Sequence, residues 1–224
     1  MLDAQQTVAN LVLDHSECVE IFQKHRIDFC CRGDVSLEAA ATMKGMPVET
    51  LLSELSRAIA ERQGGIAADV RGFSTPRLIA HIISTHHEYL RRALPVVQAL
   101  ATKVGRVHGD RNPDLRALDT AVGELAGALL PHLDEEEQVL FPALMAKNPD
   151  QARVTHLLRT MVDEHLAVAA LLERIHAASE NFTVPEWGCN SYRTLCSELR
   201  QMEADVFTHV HLENHVLKPR FAAD

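Results

Sequence analysis

Apolar residues recur every three or four positions along most of the chain, which predicts helices throughout. The clearest run is Leu125, Leu129, His132, Glu136, Val139 and Ala143, the stripe of a helix facing a bundle core. Two members of that stripe are polar. An imidazole and a carboxylate four residues apart share one face, one turn from each other. Burying such groups without partners costs roughly 2–7 kcal/mol for a neutral polar group and more for a charge. A bound metal ion would remove that cost.

From Ser74 onward four long helical patterns follow one another. Their turns fall near Gly109-Asn112-Pro113, Asn148-Pro149-Asp150 and Asn181–Pro185. This is the count and spacing of an up-down-up-down four-helix bundle. The first pattern has the seam Ile83, His87, Leu90, Leu94, Val97, Ala101 and Val104, with Pro95 expected to kink it. An offset seam through Ile79, Ile82, His86, Tyr89 and Val96 competes, so His86 stands as a reserve for His87. The third pattern runs Leu158, Met161, His165, Val168, Leu172 and Ile175. The fourth runs Leu195, Leu199, Met202, Val206, His209, Glu213 and Val216. Each stripe is broken at one level, by a histidine or by His-x-x-x-Glu.

Residues 1–62 read differently, as a small module of short helices. Ser16 and Ser36 are candidate caps, and Pro47 suits the first turn of a helix carrying Leu51 and Leu55. Ile27-Asp28-Phe29-Cys30-Cys31-Arg32-Gly33 forms a turn-like break between helices. Residues 63–73, opening on Gln63-Gly64-Gly65, read as a linker, and 74–224 as the bundle. No strand alternation appears, and the fold class is all-α.

If the four bundle helices alternate in direction, their polar breaks meet at one level. That collects His87, His132, Glu136, His165, His209 and Glu213: four imidazoles and two carboxylates. Six such side chains suit two ions about 3.5–4 Å apart, with two histidines on each and the glutamates spanning them. Coordination positions remain for water, an oxo bridge or a small molecule. Nitrogen and oxygen ligation without thiolate suits iron, with manganese and zinc as alternatives. Asp134, Glu135 and Glu137 fall off the seam and read as a solvated face, and Glu164, next to His165, as an ordinary helix glutamate, with the lining of an entry route as its alternative. His15, His25, His81, His156 and His176 read as surface or local packing. His211 and His215 lie on other faces, and His108 belongs to a loop or to the ligands' outer neighbours. Glu173-x-x-His176 is the one ferritin-like Glu-x-x-His pair, away from this level.

Composition narrows the function. A net charge of −9 argues against nucleic acid, and no apolar run reaches the ~20 residues of a membrane span. Thirteen histidines outnumber the glycines, at 10, which fits a ligand role. Five cysteines, an odd count with no signal peptide, lead to the expectation of reduced thiols in the cytoplasm. Cys18, Cys189 and Cys196 sit in helical patterns and read as buried apolar residues. A disulfide between the adjacent Cys30 and Cys31 would be strained.

At these residues the chain resembles the iron-sulfur cluster repair di-iron proteins, the RIC, YtfE and ScdA group. Asp28-Phe29-Cys30-Cys31-Arg32-Gly33 is similar to that family's N-terminal double-cysteine signature. His87-Glu88-Tyr89-Leu90 with Leu94-Pro95, Ala101-Thr102-Lys103-Val104, His132 to Pro142, Asp163-Glu164-His165 and His209 to Pro219 are similar to a hemerythrin-like HHE domain. Arg32 stands where relatives commonly have glycine, and Lys218 where they often have Phe. The register on Leu94-Pro95 selects His87 over His86. The resemblance implies two iron ions, carboxylate- and oxo-bridged, on the six residues named above, with Cys30 and Cys31 as functional thiols. It implies repair of clusters damaged by nitric oxide or oxidants, by supplying iron, with damaged iron-sulfur proteins as partners. An O2 or NO carrier or sensor and a nitric oxide reductase are the alternatives, and a homodimer is admitted.

Overall fold

The computed structural model describes residues 2–61 and 70–221. The glycine-containing part of the expected linker, Gln63 to Ala68, lies outside the described residues. The described residues are mainly helical, with no strand and one isolated bridge among them, Thr7 to Ser36. They divide into two compact units: residues 1–73 with 210–219, and residues 74–209 with 220–224.

In the first unit, α1 (Val8–Asp14), α2 (Val19–Lys24), α3 (Leu37–Met43) and α4 (Val48–Ala60) bury Val8, Leu11, Phe22, Phe29, Leu37, Leu51 and Leu55. Each such side chain removed from water contributes about 1.5–3 kcal/mol. Ser36 caps α3, its hydroxyl accepting from the Ala39 amide at 3.1 Å, and Thr7 caps α1 in the same way. Ser16 is not a cap. It opens a three-residue 3-10 turn, and Cys18 precedes α2 instead. Gly45, at φ +65°, closes α3 in the left-handed conformation that glycine adopts without strain.

The double-cysteine turn is fixed from several sides. A Cβ on Gly33 would lie 2.4 Å from the Phe29 carbonyl oxygen, so only glycine fits there. The Ala9 amide donates to the Gly33 carbonyl at 2.8 Å. The 210–219 segment also reaches this turn. Asn214 Nδ2 and His215 Nε2 donate to the Cys30 carbonyl at 3.0 and 2.9 Å, and His211 Nδ1 donates to that of Phe29 at 3.1 Å.

At the surface of this unit, Glu54 accepts from Lys24 Nζ at 2.9 Å and from His25 Nε2 at 2.8 Å. Hydrogen bonds from Lys24 and His25 outweigh desolvation and bring its carboxyl down to about 2. A depressed carboxyl stabilises the fold above its unfolded pKa of about 4.3, and that contribution is lost as pH falls toward 2. Glu54→Gln therefore flattens the loss of stability between pH 5 and 2. Denaturant unfolding at a series of pH values checks this; parallel curves for the two proteins would contradict it.

The second unit carries α5 (Thr75–Ile82), α6 (Glu88–His108), α7 (Asp114–Glu135), the short α8 (Phe141–Leu144), α9 (Gln151–Ala178) and α10 (Asn190–Leu212), which ends beyond it. α7 packs against both α6 and α9. Their core holds the expected Leu90, Leu94, Val97, Leu125, Leu158, Leu172, Leu199 and Val206, joined by Leu118 and Val122, which lie earlier on the same helix as Leu125. Pro95 sits inside α6 without ending it.

The helices depart from regular α geometry at three places: Ile83–His87, Glu136–Leu140 and Glu213–Leu217 are single π-helical turns. A π turn inserts one residue into the register, and such insertions concentrate at functional sites. After Glu136 the buried positions are accordingly Leu140, Phe141 and Leu144, whereas Val139 and Ala143, expected on the seam, are only half-buried.

Candidate metal centre

All six residues that interrupt the apolar stripes are buried: His87 and His209 at 0% exposure, Glu213 at 0%, Glu136 and His165 at 1%, and His132 at 4%. A regular helical turn and a π turn meet at three of them. His87 ends one π turn, and Glu136 and Glu213 open the other two. The extra residue rotates the following apolar stripe while leaving the polar side chain on the inner face.

Glu136 organises the geometry. Its Oε2 lies 3.4 Å from His87 Nε2 and 3.9 Å from His209 Nε2. Its Oε1 lies 3.4 Å from His132 Nε2 and 4.0 Å from His165 Nε2. One carboxylate thus turns one oxygen to each of two histidine pairs. Within the first pair the Nε2 atoms are 3.1 Å apart. Two nitrogens held at ~2.1 Å from one ion, at right angles, would be about 3.0 Å apart. Donor atoms of His87, Glu136, His209 and Glu213 all lie within 4.8 Å of one another, and so do those of His132, Glu136, His165 and Glu213. The two groups share both glutamates.

The tautomers suit ligation. His87 Nδ1 donates to Glu137 Oε1 at 2.9 Å, and His132 Nδ1 donates to Glu164 Oε2 at 2.7 Å. An ionised carboxylate only accepts, so the proton sits on Nδ1 and the Nε2 lone pair faces the centre. Glu137 is in turn held by Arg91 at 3.1 Å, and Arg91 also pairs with Asp134 at 2.7 Å. Desolvation raises the Glu137 pKa, but hydrogen bonds from His87 and Arg91 outweigh it and hold the carboxyl below its ordinary value. Glu137 and Glu164 were expected to be a solvated carboxylate and an ordinary helix glutamate. Each instead orients a histidine of the centre. The available clue was their adjacency to Glu136 and His165, which sequence alone does not separate from surface charge.

Other side chains fall elsewhere. His86 is buried, but its Nδ1 donates to Asp205 at 2.9 Å and its ring stacks on that of His209 at 5.7 Å; it joins neither group. His108 ends α6, about 30 Å along the helix from His87 at 1.5 Å per residue, which excludes it from the centre. It packs on Trp187 and lies 3.2 Å from Cys189 Sγ. Cys189 is exposed, contrary to the buried position expected for it, because it lies in the turn before α10; Cys18 and Cys196 are buried. His176 Nε2 pairs with Glu203 at 2.6 Å. Cys30 and Cys31 stand apart from both groups, in a third one with Asp28.

Four imidazoles and two carboxylates, one of them offering an oxygen to each histidine pair, could hold metal ions, and nitrogen and oxygen donors without thiolate suit iron. The comparisons agree. Residues 78–221 match the Hemerythrin HHE cation binding domain, and residues 4–59 match ScdA_N, a domain of unknown function. The chain is 31% identical to the iron-sulfur cluster repair protein ScdA of Staphylococcus haemolyticus over 224 residues, covering 99% of this chain and all of the relative. It is 32% identical to the iron-sulfur cluster repair protein YtfE of Yersinia pseudotuberculosis over 215 residues, 96% of each chain. With its centre built on an HHE domain and its likeness to these relatives running nearly end to end, the chain belongs to the ScdA and YtfE family of iron-sulfur cluster repair proteins.

Proposed function

We propose that this protein repairs iron-sulfur clusters damaged by nitric oxide or oxidative stress, supplying iron from the centre on His87, His132, Glu136, His165, His209 and Glu213. The observation that carries the reading is the position of Glu136 between two histidine pairs, taken with the likeness to relatives named as iron-sulfur cluster repair proteins. Damaged iron-sulfur proteins are then its partners, and the cytoplasm its compartment. Among the described residues no helix is long and apolar enough to cross a membrane. In this reading residues 1–62 are the double-cysteine domain and 74–224 the iron-bearing bundle.

The chain's own contribution is orientation and exclusion of water. Bound iron supplies the cargo for the damaged cluster. Glu137 and Glu164 keep the protons of His87 and His132 on Nδ1, so both Nε2 atoms stay available. Phe141 stacks on His87 at 5.8 Å and Leu90 and Val168 are buried in the same core, keeping solvent from the imidazoles. Four histidines hold iron less firmly than a fuller imidazole set would, as a donor requires.

The test is reactivation of a nitric-oxide-damaged iron-sulfur hydratase by the iron-loaded protein. Recovery beyond that given by the same quantity of free ferrous iron is expected. Recovery no better than with free iron would overturn the reading, and steady reductant-driven consumption of nitric oxide would favour a reductase instead.

A further inference from the structure

Asp28, Cys30 and Cys31 bring a carboxylate oxygen and two sulfur atoms within 4.8 Å of one another, in the first compact unit. The two Sγ atoms are 3.7 Å apart, and Asp28 Oδ1 is 3.3 Å from Cys30 Sγ. A tetrahedral ion with sulfur at ~2.3 Å and oxygen at ~2.0 Å has edges of about 3.8 Å for S–S and about 3.5 Å for O–S. The observed separations fall within about 0.2 Å of both edges, so an ion can enter with little rearrangement.

The group is also held in place. The Cys30 carbonyl accepts from both Asn214 and His215, the Phe29 carbonyl from His211, and Asp28 Oδ1 from the backbone amides of Cys30 and Cys31 at 3.1 and 2.8 Å. Gly33 lets the turn close against Phe29. Donors fixed before binding lose little entropy when an ion arrives. Cys30 is buried, while Asp28 and Cys31 are half-buried, so one side of the group faces solvent.

We propose that Asp28, Cys30 and Cys31 form a second metal site, for a single soft or borderline cation, with one coordination position left open. Two thiolates and a carboxylate select against hard ions such as magnesium and favour cobalt(II), zinc, iron(II) or copper(I). A thiol binds metal as thiolate, so binding releases thiol protons to solvent, and the ion's charge stabilises the thiolates. The proposal does not depend on the repair reading, since none of its ligands belongs to the two-iron centre.

Cobalt(II) is the probe, added anaerobically to the iron-loaded, reduced, full-length protein. One equivalent is expected to bind with sulfur-to-cobalt charge-transfer absorption in the near ultraviolet, which nitrogen and oxygen ligands do not give. Cys31→Ser should weaken this binding about tenfold or more, Asp28→Asn should weaken it less, and Cys189→Ser should leave it unchanged. Iron content should stay at the wild-type level in all three, which separates loss of this site from loss of the two-iron centre. Should Cys30→Ser fail to fold, the half-buried Cys31→Ser carries the test alone. Absence of the sulfur band, cobalt binding of unchanged affinity in Cys31→Ser, or loss of the band in Cys189→Ser would overturn the proposal.

Discussion

Glu136→Ala should lower iron content from about two ions per chain to roughly none, a larger loss than any single histidine substitution. The reason is its place. Each histidine faces one oxygen of Glu136, whereas Glu136 faces both pairs, at 3.4 Å from His87 on one side and 3.4 Å from His132 on the other. Removing it would take an anionic donor from both histidine pairs at once and leave the mutual repulsion of two bound cations less compensated. His132→Ala leaves the His87 and His209 pair intact, so it should retain part of the iron. Glu137→Gln and Glu164→Gln keep every ligand but weaken the acceptors that hold Nδ1 of His87 and His132. Their expected cost is roughly 10–100-fold in iron affinity, with full loading recovered at high iron. Metal analysis after anaerobic reconstitution, over a range of iron concentrations, reads the series directly. Glu136→Ala binding iron as well as Glu164→Gln does would show that the carboxylate is not shared between the pairs.

The first helix of the bundle shows what the sequence carried and what it hid. Two seams compete there, one through Ile79, Ile82 and His86, the other through His87, Leu90 and Leu94, and periodicity admits one. The structure buries the residues named of each, but leaves Ile83 of the second seam and Tyr89 of the first half-buried and Val96 of the first exposed. The π turn Ile83–His87 inserts a residue between them, so the first seam is correct before the turn and the second after it. A period of 3.6 cannot announce a local insertion, and the same failure recurs after Glu136, where burial passes from Val139 and Ala143 to Leu140 and Leu144. Upstream of those insertions the seams of α7, α9 and α10 were legible because every one pairs long aliphatic side chains with a single polar break. The partners of Glu137, Glu164 and the double-cysteine turn were not legible. They depend on which side chains from distant helices arrive at hydrogen-bonding distance, as when His211, Asn214 and His215 meet carbonyls some 180 residues earlier in the chain.

Removing the iron should lower the melting temperature by at least about 5 °C. Ligand present at a hundred times its dissociation constant stabilises by about 2.7 kcal/mol, and each kcal/mol shifts the midpoint of a chain this long by about 2–4 °C. The structural basis is the composition of the core at the level of the centre. Four imidazoles and two carboxylates occupy positions that aliphatic residues fill elsewhere on the same stripes, each no more than 4% exposed. Iron offsets the desolvation of those groups, and chelation removes the compensation. A matching substitution separates this account from a general effect of metal. Glu136→Met replaces a buried carboxylate by an apolar side chain of similar length and so removes the desolvation cost of that charge, while the neutral imidazoles around it stay. Iron-free Glu136→Met should therefore melt at or above iron-free wild type, while gaining nothing when iron is added. Calorimetric scans of both proteins, with and without iron, give the four midpoints. Equal midpoints for loaded and stripped wild type, or an iron-free Glu136→Met that melts well below iron-free wild type, would show that the buried polar cluster is not the weak point of the metal-free fold.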